Sequence, residues 1–390
     1  MIDLGHEVEI FGDVSNETNI CHPEIHNYSL LQKSSFFPKM PNNWLIRFIK
    51  ALYLAVFLFP KNPRAVLKSL DIKKYGRIAS SMRLIYALKP FIQEPRVYDI
   101  VHCHFGGNGM RAIFLRDVGL ISGKLVTVFH GADVTAAVKN HGPKVYDQLL
   151  KKGDLFLPIS DKWRHEIINL GAPSKNTIVH RMGVDSLDIS AKKSTKNDVD
   201  QIRLISICRL TEKKGIEFSL KALALLNVEN VDIHYDIIGD GPLKSELVLL
   251  SKELGIGDKV KFHGAINKLE VQKFLSHADI SIQPSVTASD GDQEGIPVSI
   301  MEAMAFSLPV ISTLHSGIPE LIADGDTGIL VREREITELS DAMSKLILQP
   351  ELRTLMGQKA QLFILNNYNI ETLNQQLESH FSRLIQDKST

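Results

Sequence analysis

Cysteine is scarce in this chain and net charge is absent. Three cysteines, Cys21, Cys103 and Cys208, are scattered through 390 residues. Their odd number and apolar surroundings exclude a disulfide framework and fit reduced core thiols, which points to the cytoplasm. With 45 Lys and Arg against 45 Asp and Glu, no global field exists to hold a polyanion such as nucleic acid, so phosphate recognition has to be local. Residues 1–11 have neither the basic start nor the apolar core of a secretory leader. The one strongly apolar stretch, residues 44–59, is continuous only over 51–59, far below the roughly 20 residues that span a bilayer. A core helix is its plain reading. The alternative is an interfacial helix on anionic lipid, favoured by Arg47, Lys50 and the aromatic residues. Tandem repeats and low-complexity tracts are also missing. No Gly-x-Gly-x-x-Gly turn follows an early strand, which argues against a nicotinamide-dependent oxidoreductase.

What is present is an alternation of short β-branched runs with helical patterns. At this length and 44% hydrophobic content it predicts two α/β domains, each a doubly wound, Rossmann-like parallel sheet. Strands are expected at 7–11, 99–104, 125–129, 155–159 and near 177–179 in the first half. In the second half they are expected at 202–207, 232–238, 259–262, 279–283, 309–312 and 329–331. The polar, lysine-rich stretch 186–200 is the expected linker. Residues 30–90 look helical and irregular, without strand alternation. Residues 1–6 resemble the end of a helix closed by Gly5. The first strand and most of the first helix of that sheet are therefore expected to be missing upstream.

Chemistry concentrates at the ends of the expected strands. In Glu294-Gly295-Ile296-Pro297-Val298-Ser299-Ile300-Met301-Glu302, a polar loop with Asp290, Gly291 and Asp292 runs into a helix flanked by two carboxylates. A fully helical interval would put them about 12 Å apart along the axis, too far for a glycosidase acid pair. They therefore serve different parts of one long ligand, Glu302 facing a ribose and Glu294 a sugar. The amides of Gly295, Ile296 and Val298 would meet a diphosphate at the helix's positive end. Taken alone, the spacing equally describes two solvated carboxylates. After the strand at 202–207, Arg209 and Lys214 in Cys208-Arg209-Leu210-Thr211-Glu212-Lys213-Lys214-Gly215 offer charge to a departing diphosphate, although a lone basic helix start is usually just solvated.

In the first half, His130-Gly131-Ala132-Asp133 and Phe105-Gly106-Gly107 follow two strands, and their glycines admit a ligand to the backbone. His130 is either a sugar ligand, with Asp133 as its partner, or a structural histidine. His102 and His104 share one strand face and Cys103 points away, which excludes a zinc site. Further glycine loops follow three strands of the second half: Gly239-Asp240-Gly241-Pro242, Gly264-Ala265, and Thr313-Leu314-His315-Ser316-Gly317-Ile318-Pro319-Glu320. Each is weak alone, but together they mark one rim as a nucleotide site.

Together these residues resemble glycosyltransferase family 4, a retaining GT-B family, over nearly the whole chain from Gly5 onward. The resemblance rests on the Glu294 and Glu302 pair, the Arg209 and Lys214 pair, Phe129-His130-Gly131 and Met182-Gly183-Val184-Asp185. Pro284-Ser285-Val286-Thr287, Asp290-Gly291-Asp292 and the loop from Ser312 to Glu320 are similar to the colanic acid and amylovoran type exopolysaccharide enzymes.

The resemblance implies two domains facing across a cleft: an acceptor domain over 1–187, a donor domain over 201–368 and a final helix over 369–390 crossing back to the first. It implies His130, Glu294, Arg209 and Lys214 as catalytic residues. Arg209, Lys214, Gly264, Glu294, Gly295, Ile296, Val298 and Glu302 would bind the donor, and Gly106, Gly107 and Asp133 would stand on the acceptor side. The expected donor is a nucleotide-diphosphate hexose, UDP-galactose by resemblance, and the acceptor a lipid-linked oligosaccharide. No metal or other cofactor is expected, and the place of action is the cytoplasm with peripheral contact at the inner membrane. Family members have an opening strand before the position of Met1. A wrongly started reading or a shortened variant with impaired turnover is therefore expected, the alternative function being a protein that binds nucleotide sugar without transfer. A phosphorylase or epimerase would instead use free sugar phosphate or interconvert the donor.

Overall fold

The computed structural model describes residues 1–13, 23–185, 201–229 and 231–386. The expected linker at 186–200 and Cys21 lie outside the described residues. The chain divides into two compact units, the first comprising Met1–Ile159, Trp163–His180 and Asn374–Thr390, the second Ser160–Lys162 and Arg181–Leu373.

The first unit holds two small parallel sheets. One pairs β1 (Ile10–Asp13) with β2 (Ser34–Phe37). The other orders β3 (Arg96–His104), β4 (Ile121–Phe129) and β5 (Leu155–Pro158) side by side. β1 begins later than the expected residue 7, because pairing starts only where the Ile10 amide meets the Lys33 carbonyl. β2 corrects the reading of 30–90 as strandless: Ser-Ser-Phe-Phe is too short to show alternation and gains its place from β1. Residues near 177–179 run beside β5, where the Ile178 and His180 amides donate to the Phe156 and Pro158 carbonyls, but they form only a bridge.

A second correction concerns residues 44–59. They form the helix Trp44–Leu58, capped by Asn43, whose side chain accepts from the Leu45 and Ile46 amides. Only Ala51 and Leu58 are buried, so the core-helix reading fails. Among the described residues no helix is long and apolar enough to cross a membrane.

The second unit is built on one six-stranded sheet in the order β11-β10-β9-β6-β7-β8, every pair parallel. Its strands are β6 (Gln201–Ile207), β7 (Asp232–Ile238), β8 (Val260–Gly264), β9 (Ile280–Gln283), β10 (Val310–Thr313) and β11 (Gly328–Val331). β9 and β10 are buried throughout, as central parallel strands covered on both faces must be. Leu204, Ile280, Ile282 and Ile311 are fully enclosed in this core, each side chain contributing about 1.5–3 kcal/mol. The hydroxyls that the pattern forces inside are satisfied. Ser206 Oγ bonds the Tyr235 hydroxyl and the Ile282 carbonyl, and Ser312 Oγ donates to the Gln283 carbonyl. A parallel sheet of six strands sends all its carboxyl-end loops to one edge, so six distant stretches of sequence meet there.

Candidate active site

At that edge, β6 runs into the turn from Cys208 to Gly215. A short 3-10 helix, Glu212–Lys214, is closed by Gly215 in the left-handed conformation, and the helix Ile216–Leu225 follows. Gly215 has φ 65°, and a Cβ there would come within 1.9 Å of the Pro284 carbonyl oxygen. This close approach lets the loop after β9 lie against the turn after β6, with the Val286 amide donating to the Lys213 carbonyl. The Ser289 amide and hydroxyl both donate to Glu212, at 2.9 and 2.7 Å. Gly239, φ 128°, plays the same part after β7, where a Cβ would stand 1.8 Å from the Cys208 carbonyl oxygen. The Gly239 amide donates to the Gly264 carbonyl, which brings the end of β8 to the same rim.

The centre of this rim is a buried carboxylate held by two ammonium groups. Glu294 is buried, with Lys214 Nζ 3.0 Å from Oε2 and Lys213 Nζ 3.8 Å from Oε1. Lys213 also pairs with Asp292 at 2.9 Å. Arg209, in the same turn after β6, is exposed, and its guanidinium pairs with no carboxylate among the described residues. Thr211 Oγ1, Ser285 Oγ, Asp292 Oδ1 and Glu294 Oε1 are buried polar atoms with no hydrogen-bond partner in the protein. Such a concentration of unsatisfied groups is costly in a core and usual where a polar ligand or solvent is received.

Glu294 does not stand in a helix. The helix spans Val298–Ala305 with Pro297 as its cap residue, so the expectation that the amides of Gly295 and Ile296 open it is corrected. Proline at 297 restricts Ile296 to extended backbone and stops the helix from starting earlier. The estimate of about 12 Å for a helical interval therefore does not apply. Val298 does open the helix and is exposed, and Glu302 lies half-buried on its second turn.

A buried histidine holds the Glu294 segment in place. The Glu294 amide donates to His315 Nε2 at 3.1 Å, and the other ring nitrogen, Nδ1, lies 2.6 Å from Glu333 Oε1. An accepting Nε2 requires the neutral tautomer with its proton on Nδ1, donated to Glu333. Burial lowers the His315 pKa and outweighs the opposing pull of Glu333. Glu333 in turn accepts from the Thr287 amide, and Ser316 Oγ donates to the Glu294 carbonyl. Sequence reading had given no role to Lys213, Asp292, His315 or Glu333. Lys213, Asp292 and His315 lie inside the quoted motifs, whereas nothing local marks Glu333. In His315→Gln the side-chain oxygen reaches the place of Nε2, so this variant should keep more turnover than His315→Ala, which we expect to fall by about 1–3 kcal/mol of transition-state stabilisation. Steady-state kinetics of the two variants check it.

The first unit carries the other group of expected residues. His130, at the end of β4, has Nε2 2.9 Å from His104 Nδ1, and the rings stack at 5.1 Å. Asp133 is not the partner of the His130 ring, as had been expected. Its buried carboxylate accepts from the backbone amides of His130, Gly131 and Gly106 at 2.9–3.0 Å. Gly106 is buried beneath Tyr146 and Phe129, where a Cβ would come within 2.6 Å of the tyrosine ring, whereas Gly107 faces open space. Burial pulls the His130 imidazole down to about 4, with His104 adding to it, and pulls His102 down to about 3. A histidine whose folded pKa lies below its unfolded value keeps its contribution above the unfolded pKa and loses it as pH falls toward the folded one. Stability should therefore decline from about pH 6.5 toward 4. Thermal denaturation over this range should show a weaker decline for His130→Gln.

Solved structures similar to this chain share its architecture. They include Anabaena HepE in complex with UDP and glucose (TM-score 0.65, 19% identity, covering 79% of this chain and 84% of that one). A glycosyltransferase from Rickettsia africae is another (TM-score 0.67, 16% identity, 100% and 92%). The fold is that of the GT-B glycosyltransferases. The "Glycosyl transferases group 1" family model matches residues 189–363. The protein named colanic acid biosynthesis glycosyltransferase WcaL of Salmonella typhimurium is 35% identical over 97% of this chain and 93% of its own length. The amylovoran biosynthesis glycosyltransferase AmsK of Erwinia amylovora is 36% identical over 88% and 84%. The chain belongs to this glycosyltransferase family and is a transferase.

Proposed function

We propose that the chain transfers a hexose, with retention, from a nucleoside-diphosphate donor to a lipid-linked oligosaccharide in the assembly of an exopolysaccharide of the colanic acid or amylovoran type. UDP is the proposed nucleotide, galactose the proposed sugar and the cytoplasmic face of the inner membrane the proposed place. The observation that carries this reading is the Glu294 carboxylate clasped by Lys213 and Lys214 where the parallel strands end. The names of the two relatives support the pathway, and the UDP in the HepE complex supports the nucleotide.

In transfer, the bond between the sugar's anomeric carbon and the diphosphate oxygen breaks, and an acceptor hydroxyl forms the new bond on the same face. Negative charge grows on the leaving diphosphate, and donors already in place there stabilise it without reorganisation. Lys214, Lys213 and Arg209 take this role, and the lysine charges make the reaction independent of a metal. Glu302 accepts from the ribose, while Glu294 and the Gly295 and Ile296 amides face the sugar. Val298 opens the helix toward the diphosphate and Gly264 leaves room for the nucleotide. His130 and Gly107 stand on the acceptor side.

Calorimetric titration with UDP, GDP and ADP tests the donor half without knowledge of the acceptor. UDP should bind selectively, and equally in the presence of a chelator. A folded protein that binds none of the three would overturn the donor assignment, and affinity restored by a divalent cation would overturn metal independence. The anomeric configuration of the product, read by NMR, decides retention.

A further inference from the structure

We propose that the outward face of the Trp44–Leu58 helix docks on an anionic lipid surface. Apart from Arg47 and Lys50 the helix is apolar, close to the pattern of a helix buried all round, yet only one stripe of it is covered. Ala51 and Leu58 are buried, and Leu54 and Ala55 pack beside Ala51 against Met82, Ile85 and Tyr86. The Tyr86 hydroxyl donates to the Arg47 carbonyl, and the Asn43 cap fixes the first turn. Orientation is thus set, and the opposite face is held outward. There Leu45, Ile49, Leu52, Tyr53, Val56 and Phe57 are 52–72% exposed. A contiguous apolar face of this kind marks an interaction surface, not the scattered exposure of a monomer.

Charge and length select the occupant. From Ile25 to Leu70 the sequence has no Asp or Glu but seven basic residues: Lys33, Lys39, Arg47, Lys50, Lys61, Arg64 and Lys68. Lys61 Nζ lies 4.6 Å over the Phe57 ring, so a cation and an aromatic ring are presented together. Two copies docked through this face would bring the like charges of Arg47 and Lys50 on the helix and Lys61 just after it toward each other, whereas a surface of anionic headgroups over acyl chains satisfies both the charge and the apolar area. At about 1.5 Å per residue, the helix's 15 residues reach well under the roughly 30 Å of a hydrocarbon core. It therefore lies in the interface. Tyr53 on the face and the exposed Trp44 in the helix's first turn suit headgroup depth.

This deepens the membrane placement proposed above and rests on it for the choice of lipid as partner, but its readout, sedimentation with vesicles, depends on neither donor nor acceptor. The full chain is sedimented with vesicles of phosphatidylcholine alone and of phosphatidylcholine mixed with phosphatidylglycerol. It should sediment with the mixed vesicles, be released by salt, and bind at least about ten-fold more weakly as the variant Tyr53→Glu with Phe57→Glu. Both side chains are exposed, so the fold should survive, and unchanged UDP titration of the variant would show this independently of lipid. If UDP binding proves absent in the native chain as well, native-like thermal denaturation of the variant serves instead. Failure to sediment with the mixed vesicles would overturn the proposal, as would binding that the double variant leaves intact. So would a dimer in light scattering that the double variant dissociates, since a second copy would then be the occupant.

Discussion

Lys214→Ala should abolish most transfer, weaken UDP binding by about ten- to a hundred-fold and destabilise the second unit, because it strips Glu294 of its nearest cation. A charge-assisted hydrogen bond contributes about 1.5–3 kcal/mol. Breaking a buried ion pair on one side costs more than the pair was worth, about 3–5 kcal/mol, since the remaining charge is stranded. Lys213, 3.8 Å from Glu294, offsets part of that, so a loss of about 3 kcal/mol is expected. The double variant Lys214→Ala with Glu294→Gln removes the stranded charge and should recover stability without recovering transfer. Denaturant unfolding, UDP titration and turnover, measured on the single and double variants, separate the two roles. If Lys214→Ala binds UDP normally, Lys214 does not meet the diphosphate.

Gly215→Ala should be nearly as damaging, though it removes no charge. At φ 65° an alanine is strained, and its Cβ would lie 1.9 Å from the Pro284 carbonyl oxygen, a backbone atom that cannot step aside without moving the loop after β9. That loop leads through Val286 to Asp292 and Glu294, so the shift pulls the carboxylate away from the two lysines. A loss of about 3 kcal/mol in stability together with weakened UDP binding is expected. Gly255 provides the control: its φ is 70°, but a Cβ there meets nothing within 4 Å. Gly255→Ala should cost about 1 kcal/mol, from backbone strain alone, and leave UDP binding intact. Equal effects at the two positions would mean that strain, and not the approach to Pro284, sets the requirement for glycine at 215.

Much of this was legible along the chain. The alternation of short β-branched runs with helical segments located the six strands of the second unit to within a residue or two, because most of them are short runs rich in Ile, Val and Leu that end near glycine, proline or a polar loop. The rim was legible for the same reason. Arg209, Lys214 and Glu294 follow a strand and Gly264 ends one, and a parallel sheet carries such positions to one edge. Ser34–Phe37 was not legible, since four residues carry no period of their own. Pro297 was visible, but its consequence for Glu294 follows only when the residue before proline is taken as extended.

The sequence by itself determined the two α/β domains, the family, and the stretches in which charge and glycine gather, because these depend on local pattern and residue type. Tertiary structure decided which atoms meet. Glu333 reaches His315, and through it Glu294, from the loop after β11, and Asp133 spends its carboxylate on three amides and leaves the His130 ring to His104. It also decided that residues 44–58 show an apolar face to the outside. Hydrophobic periodicity records which side chains avoid water, but whether protein or another medium covers them depends on what the rest of the chain packs against that face.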